Sequence, residues 1–101
     1  MDIRLTKDGQ KSIAKIYKAY LERKNNGESK SSAKYFDKFN PSFEEFIKSV
    51  QEDINELKEA GLLNVSITGG FEISYSGIVY MENQKADTIK EWLSFGAQFI
   101  P

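Results

Sequence analysis

The chain has 101 residues, 40% of them apolar, with no Cys, no His and a formal net charge of −1. One domain with a packed core is feasible at that size. Disulfides and thiolate zinc sites are excluded, and the commonest general base and transition-metal ligand is missing. The composition therefore points to a non-enzymatic protein with no cofactor and no metal.

No stretch reaches the roughly 18 apolar residues that span a bilayer, and the start Met1-Asp-Ile-Arg-Leu lacks an apolar signal core. A cytoplasmic protein is expected. Asn64-Val-Ser66 fits the glycosylation pattern, but nothing else supports a secretory route. Twelve Lys against two Arg, with abundant Asn and Ile, suggest an AT-rich bacterial or phage genome. Charge is lopsided: residues 1–40 sum to +5 and residues 41–101 to −6. That asymmetry suggests separate surfaces or attraction between protomers.

Ile13, Ile16, Tyr17, Tyr20 and Leu21 recur at helical spacing and predict a first helix over 11–24, with Lys11, Lys15 and Lys18 together away from the stripe. Asn25-Asn26-Gly27 ends it. A polar link over 28–32 follows, with Ser31 or Ser32 capping a short second helix that buries Tyr35, Phe36 and Phe39. The third helix starts after Asn40-Pro41. Either Asn40 caps it with Pro41 at the first position, or Ser42 and Glu45 form a capping box. Its core face is Phe43, Phe46, Ile47, Val50, Ile54 and Leu57, and Gly61 stops it, with Leu62 closing a Schellman motif on Leu57.

Leu63, Val65 and Ile67 alternate with polar residues, as do Phe71, Ile73 and Tyr75, which predicts a hairpin. A two-residue turn at Gly69-Gly70 would place the two apolar sets on opposite sides of the ribbon. A three-residue loop, 68–70, pairs Ile67 with Phe71 and Val65 with Ile73, with Gly70 left-handed, and is the preferred register. Ser74 then caps a helix through Met81, with Ile78 and Met81 inward. A last helix over 87–98 begins at a Thr88–Glu91 capping box. Its stripe is Ile89, Trp92, Leu93, Gly96, Ala97 and Ile100, while Phe95 and Phe99 fall on a different face.

The element order, the Glu59-Ala-Gly-Leu-Leu63 helix exit and the Ile73-Ser-Tyr-Ser-Gly77 junction resemble the winged helix-turn-helix superfamily, from Ile13 to Met81. The resemblance implies an α+β fold in a single domain over 1–101, with its core in 11–82. Three N-terminal helices, a two-stranded wing and C-terminal helices are expected. It also implies DNA binding through the third helix and the wing. Residues 41–61, however, sum to −4, and the wing 68–70 has no basic residue, so a polyanion is repelled there.

The expected function is therefore macromolecular binding in a regulatory role, by protein–protein interaction or homodimerisation. Trp92, Phe95, Phe99 and Ile100 are the candidate interface, because a surface helix needs only one apolar stripe. The alternative is a DNA-binding transcriptional regulator that meets phosphates with Lys11, Lys15, Lys18, Lys30, Lys34, Lys38 and Lys48. The same lysines also read as a solvated face that keeps the protein soluble. A weaker third reading makes the segment 92–101 a membrane-proximal contact. No catalytic constellation rises above chance.

Overall fold

The first helix begins ahead of its apolar stripe. The computed structural model describes residues 3–94, with side chains through residue 91, and α1 runs Lys7–Asn25. Thr6 is its N-cap, its hydroxyl accepting from the Gly9 amide at 3.0 Å. Ile13, Ile16 and Tyr20 are buried as the stripe requires, while Leu21 at its edge is exposed. Lys15, expected on the solvent side, is buried too. The reason is crowding: α1 is the central helix, packed against α2 (Lys30–Lys34), α4 (Ile54–Glu59), α5 (Tyr75–Glu82), α6 (Ala86–Ser94) and the sheet. So enclosed a helix has little free face, and the lysine stem is covered.

The predicted second helix is corrected in three respects. Its cap is Ser29, whose hydroxyl accepts from the Ser32 amide, not Ser31 or Ser32. It ends at Lys34, and Tyr35–Phe36 form strand β1 instead. Phe39, expected in the core, is 72% exposed. The cause lies on α1. The Arg23 guanidinium donates to the carbonyls of Ser32, Ala33 and Tyr35 at 2.9, 3.2 and 2.5 Å. Carbonyls taken by a side chain need no following helical amide, so the helix stops there. Phe36 then enters the core, its ring 5.0 Å from Phe46 and 5.3 Å from Phe71.

The predicted third helix is two helices. Asn40 caps a 3₁₀ turn over Pro41–Phe43, its carboxamide oxygen accepting from the Ser42 amide at 2.9 Å; the Ser42 capping box does not form. Then follow α3, Glu44–Val50, a second 3₁₀ turn, Gln51–Asp53, and α4. Ser12 on α1 donates to the Asp53 carboxylate at 2.5 Å, which fixes the break. Val50 and Leu57 are both fully buried, with Phe43, Phe46, Ile47 and Ile54 packed on the core around them.

The exit from α4 is as expected. Gly61 has φ 79°, its amide bonds the Lys58 carbonyl, and the Leu62 amide reaches the Leu57 carbonyl at 2.9 Å. The sheet is antiparallel with order β1-β3-β2, where β2 is Leu63–Val65 and β3 is Phe71–Ile73. Its register pairs Val65 with Phe71 and Leu63 with Ile73, two residues away from the predicted one. The shift preserves the inward face of Phe71 and Ile73. It sets Ile67 at the tip, fully exposed. Gly69 rather than Gly70 is left-handed, at φ 99°. Gly70 has another reason to be glycine, since a Cβ there would lie 2.5 Å from the Tyr35 hydroxyl and 2.9 Å from the Phe36 carbonyl oxygen. Strand β1 thus presses on the loop and lengthens it.

Ser74 caps α5, accepting from the Gly77 amide at 2.9 Å and donating to the Gly61 carbonyl at 2.7 Å, and Ile78 and Met81 face the core. Helix α6 starts at Ala86, and the Ile89 amide bonds the Lys85 carbonyl, so Thr88 lies inside the first turn and does not cap it. Ile89 packs against the core. Among the described residues no helix is long and apolar enough to cross a membrane.

Candidate functional site

The chain between β1 and α3 is short, and while Phe43 packs on the core, Phe39 does not. Asp37 accepts from the Phe39 amide at 3.0 Å, and Asn40 caps the following turn, so the backbone is pinned on both sides of an aromatic ring held in solvent. Lys38 lies over the hairpin loop, where a Cβ on Gly69 would come within 2.7 Å of its side chain. The two loops therefore abut. Between them, α3 and the start of α4 lies a groove of about 500 Å³. Its apolar lining is Phe39, Pro41, Ile47 and Ile54. Ile67, two residues before Gly69, is fully exposed at the hairpin tip.

Polar groups at this groove are few. Lys38 has no ion-pair partner among the described residues, and Gln51 has no side-chain hydrogen bond there. Lys48 pairs with Glu44 at 3.4 Å, with both side chains about two-thirds exposed (69% and 64%). Such a pair is screened and weak. The Asn40 carboxamide oxygen is taken by Ser42, which leaves its NH₂ to donate. An apolar floor with a small set of converging donors is the usual form of a binding site, and the volume lies in the usual range.

A second, polar cleft of about 290 Å³ lies between α1 and the α3–α4 junction, lined by Lys11, Lys15 and Lys48 with Asp8, Glu52 and Asp53 and by Ser12 and Ser49. Burial pushes the Lys15 ammonium below its ordinary range, Lys11 adds to this and Asp53 opposes it. Three cations among three carboxylates balance. The cleft has no net attraction for an anion.

The seven lysines proposed for phosphate contact are thus divided. Lys11, Lys15 and Lys48 share the balanced cleft, Lys38 and Lys48 the groove, while Lys30 and Lys34 are on α2 and Lys18 is half-buried on α1. Glu56, one of the acids that make residues 41–61 negative, is half-buried and accepts two hydrogen bonds from Thr6. Of the predicted interface, Trp92 lies in α6 with its side chain outside the described residues, and Phe95, Phe99 and Ile100 lie outside them altogether.

The groove was not anticipated. The available signal was Asn40-Pro41 directly after Phe39, a helix start that leaves little room for a preceding helix to carry Phe39 into the core. Comparison of the chain with protein-family models, characterised proteins and solved structures found no match.

Proposed function

We propose that the protein is a small non-enzymatic winged-helix module that acts by binding a protein partner in a regulatory role. Support for the scaffold comes from connectivity. A first helix, the short α2, an edge strand, two helices across a tight turn and a hairpin whose second strand pairs with that edge strand follow one another in the order expected of that scaffold, α2 being an addition to it. In this reading α3 and α4 are the helix-turn-helix pair and the loop 66–70 is the wing. Support for protein binding comes from one observation above others: Phe39, 72% exposed, sits on an apolar groove. Exposed apolar surface of this kind marks contact sites.

Light scattering across a wide concentration range, together with a salt titration against mixed-sequence duplex DNA, tests the reading. Self-association or partner binding that falls with Phe39→Ser is expected, with no DNA affinity even in low salt. Tight, steeply salt-dependent DNA binding lost on replacing Lys30 and Lys34 would reverse the choice in favour of the regulator that contacts phosphates.

A further inference from the structure

The groove also carries information about what fits it. Two ammoniums, Lys38 and the loosely held Lys48, outnumber the one carboxylate in its lining, Glu44; the Asn40 NH₂ adds a donor, and the Gln51 carboxamide can donate or accept. A complementary occupant supplies acceptors, and a carboxylate satisfies an ammonium better than a neutral group does. Apolar side chains complete the match with Phe39, Ile47 and Ile54. The surface does not suit a long polyanion, because Glu44 lines it and residues 41–61 sum to −4. One or two acidic groups can be accommodated there; a phosphate backbone is repelled. The loop that supplies Gly69 to the groove also carries the exposed Ile67, which suits an extended segment better than a small metabolite.

We infer that the groove takes a short peptide segment of a partner protein, with an aliphatic or aromatic side chain against Phe39, Ile47 and Ile54 and an adjacent Asp or Glu met by Lys38 and Lys48. This rests on the protein-binding reading above and deepens it.

Selection of a random peptide library on the whole chain tests it. Enriched sequences should place Asp or Glu beside Leu, Ile, Phe or Trp. Their affinity should fall about ten-fold or more with Phe39→Ser, and similarly with Lys38→Glu combined with Lys48→Glu. All three positions are exposed or half-buried at the surface, and thermal melts that match the parent exclude misfolding as the cause. Enriched basic peptides that still need Phe39 would overturn the acidic occupant and leave protein binding standing. Acidic peptides indifferent to all these substitutions would overturn the groove as their site. No enrichment at all, with a strict monomer in light scattering, would remove both readings.

Discussion

The Glu56 carboxylate closes on Thr6, accepting from its backbone amide and its hydroxyl at 2.7 Å each. The start of α1 is thereby tied to α4, fifty residues away. Gly9 makes room for the clamp, since a Cβ there would lie 2.7 Å from the carboxylate.

That arrangement predicts a non-additive pair. Glu56→Ala should cost about 1–2 kcal/mol in urea unfolding, because charged hydrogen bonds at a partly exposed site are lost. Gly9→Ala alone should be close to neutral, its helix-propensity gain of about 1 kcal/mol offset by displacing the clamp. On the Glu56→Ala background the same substitution should stabilise by about 1 kcal/mol. Simple additivity would show that Gly9 and Glu56 do not compete for the same space.

Arg23 ends α2 and also packs over the rings of Phe36 and Phe43, at 5.0 and 4.7 Å from their centroids. Lysine cannot reproduce the planar fork. Arg23→Lys should therefore destabilise by about 2–4 kcal/mol, since the Ala33 and Tyr35 carbonyls lose their donor. The exposed partner Glu28 should matter much less at neutral pH. Hydrogen bonds from Arg23 and Ser32 hold its carboxyl below the ordinary range. Its contribution is present above the unfolded value and is lost as pH falls through the folded one. Denaturant titrations in mild acid should show a shallower loss for Glu28→Gln than for the parent.

At the junction of sheet and α5, a Cβ on Gly77 would run into the Leu62 carbonyl oxygen, which is backbone and cannot swing aside. Gly77→Ala should cost roughly 1–3 kcal/mol despite its better helix propensity. Ser74→Ala should cost about 1–2 kcal/mol, because it removes both the cap and the bond to Gly61. Chemical denaturation of the two variants checks both figures. A stabilised Gly77→Ala variant would show that the close approach to Leu62 is not real.

Lys15 predicts an alkaline effect of unusual sign. Its folded-state pKa is lowered, so the unfolded chain binds the proton more tightly. The penalty for holding a buried cation is full at neutral pH and is relieved as pH rises from the folded value toward the unfolded one. Over the window from neutral pH up to the ordinary lysine value, the parent should gain stability relative to Lys15→Met. The comparison must be between the two proteins, because Tyr17 and Tyr80 have raised values through burial and act oppositely near the upper limit. A constant difference across that window would contradict the burial of the ammonium.

Much of the fold could be read from residues whose local chemistry admits one solution. Gly61 followed by Leu62, Ser74 ahead of Gly77, and Asn40 before Pro41 each act within five residues, and each does as the sequence suggests. The failures share a different cause. A 3₁₀ turn at 51–53 keeps the same apolar residues inward as a continuous helix would, so periodicity could not reveal the break. The end of α2 depends on Arg23, nine to twelve residues back, and β1 depends on Phe71, thirty-five residues ahead. The loop 66–70 is set by the same remote strand pressing on Gly70. The groove was hidden for a related reason, because its walls come from α3, α4 and two loops that are far apart in sequence.

The pairing of Tyr35 with Glu72 and of Phe36 with Phe71 has a consequence for biosynthesis. A nascent chain that has emerged as far as α3 already carries Phe36 but has no strand to set it against. Until residue 73 leaves the ribosome, that ring has Phe46 on one side and lacks Phe71 on the other, so the finished protein and the half-made one present different faces to chaperones.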